Sequence, residues 1–317
     1  MAEPKTIITV GICPAWDVTC RVDGFVWGEH QKIDSQTLTC AGKAMNISSA
    51  LAWMDIPSIA AGLWGQADFQ QMLAAVEPLK PWVEIRLTAA PGTTRHNITL
   101  IDTRSGQESH LRAPDTLANA ASLRSLADDL DAIVRPGSIV ALAGSLPQGT
   151  LLDECLSIIA RLRSRGAHIV LDTSGPALKK AVQQGGLELI KPNLDELREL
   201  LDESIPDTEP DIIEAARTLC RQVRIVLVSR GARGAVAVTQ DKACSGRIVN
   251  PPARVVNTVG CGDTLLAGFI AESAQGSDLG PALQTALKAA SARAFGLIQT
   301  APWPAARDAL QVEITEL

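Results

Sequence analysis

Asn257-Thr258-Val259-Gly260-Cys261-Gly262-Asp263-Thr264, followed by LLAGFIAESA over Leu265–Ala274, is the most informative stretch of this chain. Leu265, Leu266, Phe269 and Ile270 share one face of a helix. Gly260 and Gly262 let the backbone turn sharply just before it. The N–H groups of Gly260, Cys261 and Gly262 then point at a helix start, where donors lack partners and the dipole is positive. Such a place holds anions. Asp263 needs a reason there, because a carboxylate repels a bound phosphate. It either caps the helix or acts as a base toward a hydroxyl that attacks the phosphate. The stretch by itself leaves both open.

Upstream, apolar runs alternate with amphipathic segments. Thr6–Ile12, Ser58–Leu63, Ser138–Ala143, His168–Asp172, Leu187–Ile190 and Arg224–Val228 are apolar throughout rather than alternating. They predict strands buried on both faces. Between them lie helical stripes such as Leu152, Cys155, Leu156, Ile159 and Leu162, and Ile47, Ala50, Leu51 and Met54. The alternation predicts an α/β fold with a mostly parallel sheet covered by helices. Two stretches interrupt it, at about 18–39 and 83–112, with polar β-prone segments punctuated by Gly24, Gly92 and Gly106. They predict two insertions in a single domain spanning 1–317, meeting as a small β-sheet lid over the strand ends. Ligands bind at that edge of open α/β sheets.

Composition narrows the function classes. The net charge is −6 over 317 residues, without basic blocks. This argues against nonspecific nucleic-acid or membrane-surface partners. No apolar run reaches the length of a membrane span. The seven cysteines are odd in number and lack CxxC spacing, as expected of reduced thiols in a cytoplasmic protein. Aromatic residues make up 3% and tyrosine is absent, which disfavours stacking on single strands. His30, His96, His110 and His168 show no metal-ligand spacing and are read as structural or surface residues, with His96 and His110 placed to touch substrate through the lid. A Walker A loop fails at Thr37–Ala44, which lacks the first glycine and the hydroxyl after Lys43. No GxGxxG follows the first strand, so a dinucleotide oxidoreductase is disfavoured.

Gly260-Cys261-Gly262-Asp263 resembles the GAGD signature of the ribokinase-like (PfkB) carbohydrate kinases. AGKAMN at Ala41–Asn46 is similar to that family's GGKGxN, AGSLPQG at Ala143–Gly149 to its SGSLPxG, KPNLDEL at Lys191–Leu197 to its KPNxxEL, and VSRGARGA at Val228–Ala235 to its SLGxxGA turn. The order and spacing match over nearly the whole chain. LDTSGPALKKAV at Leu171–Val182 and NTVGCGD favour the 1-phosphofructokinase and tagatose-6-phosphate kinase branch.

The resemblance implies a three-layer α/β/α fold and ATP-dependent phosphorylation of a sugar hydroxyl, with fructose 1-phosphate leading. Tagatose 6-phosphate, fructose 6-phosphate, a free sugar, or a regulator that lost turnover are the alternatives. It makes Asp263 the base and Gly260, Cys261 and Gly262 the cradle of the transferring phosphoryl group. Asp17, Gly42, Asn46 and Asn97 become substrate residues, and Lys43 and Arg95 the clamp on a substrate phosphate. Asn193 and Glu196 hold waters around Mg²⁺, although the same spacing also makes a capping box. Ser229, Gly231 and Gly234 flank the triphosphate, and Ala289–Gly296 closes the adenine pocket. Relatives commonly dimerise through the lid.

The chain departs from the pattern at Ala41 and Ala44, whose methyls are expected to narrow the sugar floor. Cys261 stands where most relatives have alanine. The helix start would lower its thiol pKa and Asp263 would raise it, so a reactive thiol and a tolerated small residue are both compatible.

Overall fold

Apolar strands without polar alternation are stable only where both faces are covered. The computed structural model, which describes residues 4–249, 251, 254–256 and 258–317, shows how that is met. Its strands are β1 (Ile7–Gly11), β2 (Ala15–Val22), β3 (Ser35–Ala41), β4 (Ser58–Gly65), β5 (Val83–Ala90), β6 (His96–Asp102), β7 (Glu108–Leu111), β8 (Ile139–Ala143), β9 (His168–Asp172), β10 (Leu187–Ile190), β11 (Val223–Ser229), β12 (Ala235–Val238), β13 (Ala243–Val249) and β14 (Gln311–Glu316). Ten of them form one sheet in the order β14-β13-β12-β11-β10-β9-β8-β1-β4-β5. From β11 to β5 every pair is parallel. The three strands beyond β11 add on antiparallel.

Successive residues of a strand face opposite layers, and here both layers are apolar. Ile8 and Val10 join a cluster with Leu126, Leu156 and Leu197, whereas Ile7 joins Ile47, Leu266 and Phe269. Helices Ala120–Ile133, Thr150–Ser164, Gly175–Gln184, Leu194–Leu201 and Glu209–Leu219 cover the first face. Helices Lys43–Trp53, Cys261–Ala274 and Leu279–Ala294 cover the second. Over that second face, Lys43–Trp53 lies against β1, β4 and β8, and Leu279–Ala294 against β12, β13 and β14. Cys261–Ala274 sits between these two helices and touches both. Gly268 permits its close approach to the later helix: a Cβ there would lie 2.8 Å from Ala286 Cα.

The order β3-β2-β6-β7 makes a second, separate sheet of four strands. This is the lid, but its second part begins later than the sequence suggests. Val83–Ala90, grouped with the lid for its half-exposed alternation, is β5, the edge strand of the main sheet, paired in parallel with β4. An edge strand shows solvent on one face and alternates just as a lid strand does. Leu38, Ile98 and Leu111 are exposed on the lid.

One buried carboxylate ties the lid to the body. Asp68 Oδ2 accepts the indole N–H of Trp16 on β2 at 2.6 Å and that of Trp64 on β4 at 3.0 Å. Its Oδ1 accepts the Thr94 amide, just ahead of β6, at 2.9 Å. Both lid strands that cross from the body are thus rooted on one side chain. Asp68→Asn presents an NH₂ to donors whichever way it turns, stranding at least one buried N–H. We expect a loss of roughly 2–4 kcal/mol in urea unfolding at pH 7, because each buried unsatisfied group costs about 1–3 kcal/mol. A loss below about 0.5 kcal/mol, the usual range of a surface change, would contradict this role.

Candidate active site

Helix Cys261–Ala274 starts at Gly260, whose φ of 77° is left-handed. Gly260, at the N-cap, brings no side chain of its own to this helix start. The Cys261 amide makes a long 3.3 Å bond to the Thr258 carbonyl. Asn257 lies outside the described residues. Asp263 falls in the first turn and is 7% exposed. Its Oδ2 accepts from Asn46 Nδ2 at 2.7 Å, so the carboxylate faces the neighbouring helix instead of capping its own. Burial pushes its pKa up, the Asn46 hydrogen bond pulls it down, and Asp172 pushes it up against the pull of Lys43 and Lys191; the outcome is a raised value.

Lys43 opens the helix that carries Asn46, directly after Gly42, whose φ is 108°. Its Nζ donates to Asp172 Oδ1 at 2.9 Å. Burial lowers the pKa of Lys43, but Asp172, Asp263 and Glu196 together hold it above its ordinary value. Those three carboxylates therefore face one ammonium group. Asp172 is 1% exposed, and Lys191 Nζ stands 3.5 Å from its Oδ2, an ion-pair distance without a hydrogen bond. Asp172 and Lys191 were not singled out from the sequence. Each ends an apolar run, β9 or β10, at the carboxyl edge of the parallel strands, and a charge closing such a run was the available signal.

On the lid, Asp17 and Asn97 are register partners across β2 and β6, with Asn97 Nδ2 donating to Asp17 Oδ1 at 3.1 Å. Asn97 Oδ1 is buried without a hydrogen-bond partner. Arg95 is half-buried and donates to the carbonyls of Pro14, Ala113 and Cys13 at 3.2, 2.9 and 3.1 Å. Among the described residues no hydrogen bond joins the Asp17–Asn97 pair to Asp263 or Lys43.

At the other flank, Asn193 and Glu196 form a reciprocal capping box at 2.8 and 2.9 Å. Asn193 bridges to Ser229, whose amide donates to the Pro192 carbonyl at 3.0 Å. Gly231 opens a short 3₁₀ turn, and Gly234 closes it against Gly246 on β13. The Ala44 methyl is buried against Gly11 of β1 and, with Ala41, Gly42 and Lys43, lines a small cavity beside Pro14 and Trp64. Burial raises the Cys261 thiol pKa, Arg293 lowers it and Asp263 raises it, with a net rise; a ready thiolate is not what this position provides. Of the histidines, His110 bonds Thr99 on the lid, and His168 lies with Lys5 and Glu188.

Residues 4–303 match the pfkB family of carbohydrate kinases. The chain belongs to that family. As a pfkB kinase it is an ATP-dependent carbohydrate kinase. It is 34% identical to the 1-phosphofructokinase of Rhodobacter capsulatus over 279 residues, covering 86% of this chain and 85% of that one. It is 25% identical to a tagatose-6-phosphate kinase of Staphylococcus epidermidis, covering 83% and 84%. In fold it resembles phosphofructokinase-2 of Escherichia coli, solved with fructose-6-phosphate, with a TM-score of 0.87, 22% identity, and 96% and 97% of the chains covered. The ribokinase-like architecture is thus established. No helix among the described residues is long and apolar enough to cross a membrane.

For a pfkB kinase, a buried carboxylate with a raised pKa is a strong proton acceptor kept at a cost in stability. Asp263→Asn retains an oxygen for Asn46 and removes the charge. We expect kcat to fall by about 10²–10⁴-fold while stability at pH 7 increases. A native pKa above the ordinary 3.8 means that wild type loses stability as pH rises from that value through the raised one. The variant's gain is therefore present at neutral pH and absent well below pH 3.8. Near-native kcat, or a variant less stable than wild type at pH 7, would contradict the assignment.

Proposed function

We propose that this kinase transfers the γ-phosphoryl group of ATP to a hydroxyl of a phosphorylated sugar, with fructose 1-phosphate first and tagatose 6-phosphate or fructose 6-phosphate next. The observation that carries it is the meeting of the buried Asp263 with the glycine-flanked helix start at Gly260–Gly262. Asp263 Oδ2, oriented by Asn46 Nδ2, takes the proton from the acceptor hydroxyl. The Gly260–Gly262 amides take up charge on the phosphoryl group as the bond to the leaving oxygen breaks. Asp17 and Asn97 meet the sugar, and Asn97 Oδ1, buried without a donor, is satisfied by a sugar hydroxyl. Lid closure over the strand ends excludes water and spares ATP from hydrolysis.

The substrate's own phosphate is argued from Arg95. Three carbonyls hold the guanidinium in one orientation, and among the described residues no carboxylate pairs with it. A half-buried cation without a counter-ion is costly until an anion arrives. Lys43, already paired with Asp172, is the weaker clamp. Mg²⁺ fits the oxygen donors present: Asp172 Oδ2 is buried without a hydrogen bond, and the Glu196 carboxylate, held by the Asn193 amide, adds negative charge near Lys43. Asn193, Glu196 and Asp172 would hold it through water, and it would neutralise charge on the triphosphate. Ser229, Gly231 and Gly234 line the triphosphate side. The seven free cysteines suit a cytoplasmic enzyme.

An ATP-consumption screen over free and phosphorylated hexoses tests this. Activity confined to free sugars would overturn the phosphosugar reading. On the best phosphosugar, Arg95→Gln should raise KM by about 10-fold or more, the scale of a charge-assisted contact, and Lys43→Ala by less. Equal KM values for wild type and both variants would remove the clamp. The exposed Leu38, Ile98 and Leu111 support a homodimer through the lid. Light scattering is expected to give a dimer for wild type and a monomer for Ile98→Asp; a monomeric, fully active wild type would refute it.

A further inference from the structure

Three helices meet around the phosphate-binding turn, and they do not approach it from the same side. The helix bearing Lys43 and Asn46 lies toward β1, β4 and β8, and the helix ending at Ala294 lies toward β12, β13 and β14. Cys261–Ala274 runs between them. The acceptor sugar, met by Asn46 and Lys43, therefore comes from one flank. The nucleotide, met by the Ser229–Gly234 turn between β11 and β12, comes from the other. Arg293 is on the nucleotide flank, in the last turn of Leu279–Ala294.

Its Nε donates to the Val259 carbonyl at 2.7 Å. Its guanidinium fills the space beside Gly260, where a Cβ would lie 2.7 Å from Nε and 2.9 Å from Nη2. Among the described residues this is its one hydrogen bond, and no carboxylate lies within ion-pairing distance. Asp263, three residues on, is engaged by Asn46. The last turn of its own helix welcomes a cation, but the adjoining helix start disfavours one. Lys191, 6% exposed, already brings its ammonium to 3.3 Å from the position a Cβ would take on Gly262. Lys191 is balanced by Asp172, so of the two cations beside this short turn Arg293 is the one that no carboxylate pairs with among the described residues.

We infer that Arg293 is a nucleotide-binding residue whose free Nη groups pair with the triphosphate of ATP beside the Gly260 amide, a contact that rests on the kinase reading above. The Val259 carbonyl fixes the guanidinium plane, leaving both Nη groups to bond phosphate oxygens. Its role is to hold the donor, with no part in the proton transfer.

Titration calorimetry without sugar tests it, using ATP–Mg²⁺ and adenosine as probes against wild type, Arg293→Ala and Arg293→Lys. Arg293→Ala should weaken ATP–Mg²⁺ by about fivefold or more, one charge-assisted contact partly open to solvent. Adenosine affinity should not change, and Arg293→Lys should restore part of the loss. KM for the sugar substrate should stay at the wild-type value. An equal loss for adenosine and ATP would show that Arg293 merely supports the turn, and no loss for either would dismiss it; both overturn the inference while leaving the kinase reading intact. A wild type that binds neither probe would bring down the nucleotide reading and Arg293 with it.

Discussion

A carboxylate buried at the start of a helix is the constraint on which the rest of this structure depends. Asp263 sits where the helix dipole favours negative charge but burial opposes it, and Asp172 adds repulsion. It can remain there only if its surroundings supply donors and cations. They come from distant parts of the chain: Asn46 and Lys43 from the first helix, and Lys191 from the end of β10. All are delivered to one edge because β1, β8, β9 and β10 run parallel and end together. The sheet direction and the chemistry at its edge are thus one arrangement.

The charges around Asp263 also divide the labour of the site. Lys43 and Lys191 share Asp172, so a protein carboxylate balances them before any substrate binds. Among the described residues, Arg95 and Arg293 have only carbonyls as hydrogen-bond partners. The first pair belongs to the resting electrostatics of the cleft. The second pair has no carboxylate partner among the described residues, one residue lying at the root of the lid and the other beside Gly260. An enzyme that must bring two polyanions together needs such charge on both approaches and little more of it between them.

Much of this was legible before folding. The apolar runs gave the parallel strands to within a residue or two, since a strand covered on both faces leaves an uninterrupted signature. Val83–Ala90 misled because an edge strand of the main sheet alternates as a lid strand does. β12, β13 and β14 passed unnoticed, the first a four-residue AVAV run, the second broken by Ser245 and Gly246, and the last a polar alternation at the chain's end. In the site, Gly260–Asp263 and Lys43–Asn46 stood out as motifs. Asp172 and Lys191 did not, because a lone charge closing a strand looks like punctuation. Arg293 was hidden in an alanine-rich helix, and only the packing of that helix beside Gly260 reveals its position.

Asp68 bears on how the enzyme moves. The two crossings into the lid, at Trp16 and Thr94, share a single anchor with Trp64 of the body. Neither strand can swing outward alone without breaking a bond to that anchor. A displacement at one crossing is therefore felt at the other through one carboxylate, and Asp17 and Asn97, bonded to each other across the same two strands, are tied to it as a pair.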